Sequence, residues 1–306
     1  MIARFALQRV VMMAPVLFIV SVVVFLMTHL TPGDPVRVML GRSGASSEEV
    51  ENVRNQLGLN DPLPVQYVHF ISDLATGDLK SIRTQQPVVQ EFLDRFPKTL
   101  ELTVLALIVA TVLGFALGIL AATRQNSWID SLAMVVSLLG VSVPSFWLAL
   151  LLVFVFAISL DWLPATGTEG MKALILPVTV LAVEQIALIA RLVRANMVEV
   201  LRDDYVRTAR AKGLRERTVL TGHALRNALL PSITLLGLNF GYLLAGAVIV
   251  ETIFARPGIG RLIVEGILNK DFPLVQGAVL LTAVVYLIVN LITDITYGFV
   301  DPRVRH

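Results

Sequence analysis

The sequence predicts an all-α polytopic membrane protein with six transmembrane helices. Composition is the first reason: of 306 residues, 56% are hydrophobic and only 16% charged, whereas soluble domains are about a quarter charged. The second is length. A bilayer core of about 30 Å needs about 20 apolar residues in helical rise, and six stretches supply them: 11–30, 102–123, 132–158, 174–194, 231–254 and 275–298. The third is that charge is concentrated between these stretches. A chain without Cys is no disulfide-built secreted domain, and so apolar a chain is not disordered. A net charge of +2 is too balanced to suggest nucleic-acid binding. The strand-length alternation of an outer-membrane barrel is missing as well.

Arg4 and Arg9 precede the first apolar stretch. It is longer than the apolar region of a signal peptide and lacks an A-x-A-like cleavage site, which predicts a retained helix within 1–30. Six spans put both termini on one side. That side carries fourteen Lys and Arg, nine of them in 191–230. The short loops 159–173 and 255–274 across the membrane carry four, which places both termini, with the tail 299–306, in the cytoplasm. The long segment 31–98 then lies outside. Ser46 and Glu49 form a capping box before a stripe of Val50, Val53 and Leu57 that ends at Gly58. A second stripe, Tyr67, Phe70, Ile71 and Leu74, stops at Gly77, and a short run from Val88 to Phe96 leads back to the membrane. These stripes predict a small helical cap.

The remaining domain, 99–298, encloses the longest cytoplasmic segment, 195–230. Gly213 divides it into two short helical runs, since glycine best tolerates the left-handed turn at a helix end. In the second run Leu214, Thr218, Thr221, Leu225 and Ala228 recur at three- and four-residue spacing. Such a basic, semi-apolar helix suits either anionic lipid headgroups or a cytoplasmic protein partner.

Charges within the spans are few. Glu184 lies mid-span, where a carboxylate is costly and should face protein or a water-filled path. It is read as a pathway-lining group for a substrate amine, as a proton site, or as one end of a buried hydrogen bond shared with Gln185. Asn239 in the fifth span is a second pathway-lining candidate. Glu251 and Asp294 lie near span ends, where solvation is expected. Gly114 with Gly118, and Gly237 with Gly241, form two G-x-x-x-G seams at which helix backbones approach closely. Pro144 and Pro177 permit kinks. Gly258-Ile259-Gly260 reads as a tight turn after Pro257. His29, His69, His223 and His306 make no metal-ligand spacing. With no Walker A sequence, the expectation is no enzyme, no cofactor and no metal site in this chain.

Five stretches, in order, carry a resemblance along the whole chain. They are Leu30–Pro35 (LTPGDP), Leu57–Tyr67 (LGLNDPLPVQY), Tyr205–Leu214 (YVRTARAKGL) with His223–Ala228 (HALRNA), Phe254–Leu262 (FARPGIGRL) and Asp301–Arg303 (DPR). The chain resembles the first, B-type permease subunit of the dipeptide/oligopeptide/nickel class of bacterial ABC importers. The resemblance implies a type I importer transmembrane domain in the bacterial inner membrane, paired with a second, non-identical permease. It implies two cytoplasmic ATPase subunits that bind the ATP, and an external solute-binding protein. Membrane lipid surrounds the chain, and no nucleic acid is involved. Segment 195–230 then resembles the EAA loop, with Tyr205, Thr208, Ala209, Ala211, Lys212, Gly213, Leu214, His223 and Arg226 as ATPase-coupling positions. This favours a protein partner over lipid. Arg207-Thr208-Ala209 stands where Glu-Ala-Ala is usual, and Arg226 replaces a proline, with Pro231 following five residues later. Short peptides (dipeptide, oligopeptide or glutathione) are the expected cargo. Nickel chelates or another small solute of the same class are the alternative, and an autonomous proton-coupled carrier using Glu184 is the competing class.

Overall fold

Apolar runs that must satisfy every backbone group without water fold as helices, and helices are what the computed structural model shows. It describes residues 2–30, 36, 46–56, 58–167 and 170–300. In chain order these are α1 (Ile2–Leu30), α2 (Ser47–Gln56), α3 (Leu63–Thr76), α4 (Val88–Thr123), α5 (Trp128–Ser142), α6 (Ser145–Leu152) and α7 (Lys172–Val200). They continue with α8 (Asp204–Ala211), α9 (Glu216–Thr218), α10 (Leu225–Ala228), α11 (Leu230–Ile253), α12 (Ile259–Leu268) and α13 (Phe272–Val300). Segments of π-helix follow α6 (Val153–Ser159) and α9 (Val219–Ala224). Four helices are long and apolar enough to cross a membrane unbroken: α1, α4, α7 and α13. The bent α5–α6 pair adds a fifth if its two halves cross together, and α11 contributes a shorter apolar stretch, Asn239–Ile253, among the described residues.

Two elements differ from their sequence reading. The stretch 132–158 is not one straight span, because α5 and α6 meet at a bend of 101°. Val143 is extended (φ −84°, ψ 120°) and Pro144 follows at φ −61°, ψ 135°, as expected for a residue whose α-region is closed by the proline ring after it. Pro177, by contrast, sits inside an unbroken α7. The run from Val88 is also no separate cap element. It is the first part of the 36-residue α4, which passes through Pro97.

The chain divides into two compact units. The first comprises Leu100–Arg256 with the C-terminal end from Val289. Its centre is α7, whose Leu174, Val178 and Leu181 pack with Leu102 and Ala106 of α4 and with Leu243 and Val250 of α11. One stretch further along α7, Ile189, Val193 and Met197 pack with Ala110, Ala122, Ala224 and Ala228. The predicted seam holds for Gly114 and Gly118, which lie against Ile189 and Val193 of α7. Of the second predicted pair, Gly237 and Gly241 both lie on α11. Among the described glycine contacts, Gly246 of that helix lies close to Leu181.

Glu251 corrects an expectation: it is fully buried, not solvated at a span end. The chain turns just after it, with Ala255 at φ +53° and the Arg256 N–H donating to the Glu251 carbonyl at 2.9 Å. Arg256 is itself buried and donates through Nη2 to Glu101 at 3.2 Å. The turn therefore precedes Pro257, and Ile259 and Gly260 already begin α12.

The second unit comprises Ala3–Thr99 and Pro257–Ile288. Phe25, Phe70, Leu74 and Leu280 form one cluster, and Val88, Phe92, Ile259, Leu262, Leu274 and Ala278 another. The predicted stops are present as left-handed glycines, Gly58 at φ +62° and Gly77 at φ +85°. Several buried polar groups of this unit are paired. Gln276 Nε2 donates to the Val24 and Phe25 carbonyls and to Thr28 Oγ1, while Asp271 accepts from Ser81 Oγ at 2.6 Å. Leu57 of the first stripe, Thr31–Pro35 and Asp301–Arg303 lie outside the described residues.

Candidate functional site

The elbow between α7 and α11 is built from side chains that leave its tip exposed. After α7, the Asp203 backbone is extended (ψ 149°) and its carbonyl accepts from Val206 and Arg207. α8 buries one narrow face, Val206 and Ala209, against Val219, with Val200 and Leu201 alongside. Lys212 then closes the helix and Gly213 turns left-handed at φ +78°, its N–H donating to the Arg210 carbonyl at 2.9 Å. Across this turn Arg210 grips Glu216, Nη2 to Oε1 at 2.7 Å and Nε to Oε2 at 3.2 Å. Asn227 Nδ2 donates to Tyr205 Oη at 2.9 Å and joins the two arms a second time.

Among the predicted coupling positions, Tyr205, Thr208, Ala211, Lys212, Gly213, Leu214 and His223 are exposed and surround the tip. Ala209 differs from them: at 5% exposure it packs inward against Val206 and Val219. The Arg226 side chain lies outside the described residues. The predicted semi-apolar stripe holds only in its second half: Leu225 and Ala228 pack inward, but Leu214, Thr218 and Thr221 face outward, and Val219 and Ala224 are buried instead. A π-helical stretch carries more residues per turn than an α-helix, so a 3.6-residue count loses register across Val219–Ala224.

The base of the elbow is anchored to the spans. Arg194 of α7 holds Asp130 of α5 through two parallel bonds, Nε to Oδ1 at 2.5 Å and Nη2 to Oδ2 at 2.6 Å. Asp130 is buried and also accepts from the Asn126 N–H. Such bidentate, charge-assisted geometry is among the stronger polar contacts. Sequence reading missed this pair, since its partners lie 64 positions apart, but Ser127 capping the Asp130 N–H marks the α5 start.

The hydrogen bond from Arg210 holds the Glu216 carboxyl below the usual glutamate range, aided by the guanidinium charge and opposed by slight burial. A lowered folded-state value means the pair stabilises the turn above the ordinary glutamate pKa of about 4.3. That support is lost as pH falls through the lowered value. Both groups are substantially exposed, so Glu216→Gln should cost less than about 1 kcal/mol at pH 7. Hydrogen exchange of amides 204–218 should show faster opening in the variant at pH 7 and a narrowing difference below about pH 4.

Of the pathway candidates, Glu184 is exposed on α7 and makes no hydrogen bond or ion pair among the described residues. Asn239 is buried at 2% exposure and lines no open surface of this chain. In the second unit a cavity of about 540 Å³ lies over Phe25 and Phe70, ringed by His29, Asp61, His69, Asp73, Asp78 and Lys80.

Comparison with known proteins places this architecture. Residues 114–306 match the family described as binding-protein-dependent transport system inner membrane component, and residues 1–103 match its N-terminal component. The chain is 42% identical over 304 residues to the glutathione transport system permease protein GsiC of Escherichia coli K12, covering 99% of each chain. It is 41% identical over 331 aligned residues to the dipeptide transport system permease protein DppB of Alkalihalophilus pseudofirmus, again covering 99% of each. Among solved structures, an inward-facing MetNI methionine ABC transporter matches with a TM-score of 0.60 at 17% identity, over 70% of this chain and 98% of that one. An amino acid ABC transporter matches at 0.52 and 18%, over 70% and 94%. With several membrane-length apolar helices and family matches along nearly its whole length, the chain belongs to the inner-membrane permease components of binding-protein-dependent ABC importers.

Proposed function

We propose that this permease forms half of a pathway for short peptides and is driven through the elbow around Gly213. A second, non-identical permease supplies the other half. Two cytoplasmic ATPase subunits grip the elbows, and an external binding protein delivers solute to the 31–98 cap. The elbow geometry carries this reading. Its tip is exposed at Tyr205, Thr208, Lys212 and Leu214, while Val206, Ala209 and Val219 fasten it to the end of α7. A lever must be free at one end and stiff at the other, or the displacement is absorbed before it reaches the spans.

Three further observations support the reading. The basic bias of the short loops favours a cytoplasmic elbow and cytoplasmic termini. The names of the glutathione and dipeptide relatives favour short peptides as cargo. The exposed carboxylate of Glu184, midway along a span, suits a substrate ammonium group. Reconstitution tests the proposal. Vesicles holding both permeases, the ATPase subunits and the binding protein should accumulate labelled dipeptide only with ATP inside and binding protein outside. Vesicles with this chain alone should accumulate none, even under an imposed proton gradient. Proton-driven uptake by the single chain would overturn the proposal in favour of a Glu184-based carrier.

A further inference from the structure

The apolar centre of the first unit contains a polar layer. Gln185 on α7 and Asn239 on α11 are 3% and 2% exposed. Gln185 Oε1 and Asn239 Nδ2 are sealed from solvent, and neither has a hydrogen-bond partner among the described residues. Buried side-chain amides in folded proteins are nearly always bonded, so two bare ones in one layer call for an explanation.

Their placement supplies it. At the elbow end, Asn196 Nδ2 of α7 reaches the Ala228 carbonyl at 3.4 Å. Further along, a Cβ at Gly246 of α11 would stand 3.2 Å from Leu181 Cδ2. These two contacts set α7 and α11 antiparallel and bring position 185 level with 239–242. Asn239 and Gly246 are seven residues apart, hence on one face of α11, and Leu181 and Gln185 are four apart on one face of α7. The two amides therefore occupy facing stripes within about one helical turn of each other in height. Above and below them the packing is apolar, with Leu181 and Leu243 in one cluster and Ala182 and Ile189 in the other. One group is a donor and the other an acceptor.

We propose that Gln185 and Asn239 together bind a single water molecule between α7 and α11, and that this bridge fixes the register of the two helices. The water oxygen accepts a hydrogen bond from the Asn239 Nδ2–H and a water O–H donates to Gln185 Oε1, so both buried atoms are satisfied by one occupant. α7 and α11 are the helices that leave and re-enter the elbow. A pin between them makes the pair move as one body, which refines the lever role proposed above and rests on it for its transport consequence.

The test uses the assembled importer with Gln185→Leu, Asn239→Leu and the double variant, all close to the original side chains in size. Each single variant leaves one amide bare and should lower the melting temperature. The double variant removes both and should regain most of the loss, while a high-resolution map of the parent shows density between the two amides. ATP consumed per solute imported is the second readout. It should rise at least twofold in the double variant, because two leucines pack without fixing register. Additive melting losses, or a map with the amides bonded elsewhere, would overturn the water site. A coupling ratio restored along with stability would overturn the register role. If the parent complex shows no ATP-dependent uptake, the functional reading fails, while the melting and density results still decide the site.

Discussion

Gly118→Val should abolish accumulation of folded protein, the largest stability effect expected of any single change in the first unit. A Cβ at Gly118 would lie 2.7 Å from the Ala190 carbonyl oxygen and 2.7 Å from Val193 Cβ. Neither atom is the end of a flexible side chain, so the clash is relieved only by parting the backbones of α4 and α7. At Gly114 a Cβ would meet Ile189 Cβ and Cγ2, both at 2.8 Å. Within lipid no hydrophobic gain offsets such a separation, because helix association there rests on close contact. The seam also carries Ile189, Val193 and Met197 against Ala110 and Ala122, and they would lose contact together. Overpacking commonly costs about 1–3 kcal/mol, and a branched side chain forced against a main-chain carbonyl falls at the upper end or beyond. Gly222→Ala is the control, since a Cβ there meets nothing within 4 Å, and it should melt within a degree or two of the parent. Membrane-fraction yield and the melting temperature in detergent are the measurements. A Gly118→Val protein that melts with the parent would show that α4 and α7 are not in contact here.

That seam was legible in the sequence because small residues at four-residue spacing within an apolar run mean the same thing in most spans. The spans themselves were legible for an equally general reason, since lipid leaves the backbone no alternative to a helix. What escaped depended on geometry that periodicity does not encode. Hydropathy over 132–158 is continuous across Pro144 and carries no record of a 101° bend. The buried face of the elbow was misphased because Val219–Ala224 winds as a π-helix. Glu251 looked solvated from its place near a span end, yet it is fully buried. Asp130 and Arg194 lie 64 positions apart, and only the packing of α5 on α7 brings them together. Gly213 stands at the other extreme. A glycine between two amphipathic runs predicted a left-handed turn, and the observed φ of +78° is that turn.

Gly213→Pro should abolish ATP-dependent uptake while the spans still fold. Proline holds φ near −65°, whereas this position needs φ +78°. Proline also lacks the N–H that Gly213 donates to the Arg210 carbonyl at 2.9 Å. The substitution thus fails on backbone angle and on hydrogen bonding at once, and α8 must swing away from α9. The Arg210–Glu216 pair and the Val206–Val219 contact, which both close over this turn, break with it. Gly213→Ala separates angle from bond. Space is open around the position and the N–H is kept, so only the left-handed strain remains, about 1 kcal/mol. Uptake should fall less than threefold in the alanine variant and by more than tenfold in the proline variant. A melting temperature near the parent's would locate the damage outside the spans, because the anchors at Asp130, Arg194 and the α4–α7 seam do not involve the turn. ATP hydrolysis by the assembled complex distinguishes the routes to failure. If the elbow is the lever, hydrolysis continues or loses its stimulation by the binding protein while transport stops. Full uptake by the proline variant would mean that force enters this permease elsewhere, and the exposed ring of Tyr205, Thr208, Lys212 and Leu214 would then be surface without a mechanical role.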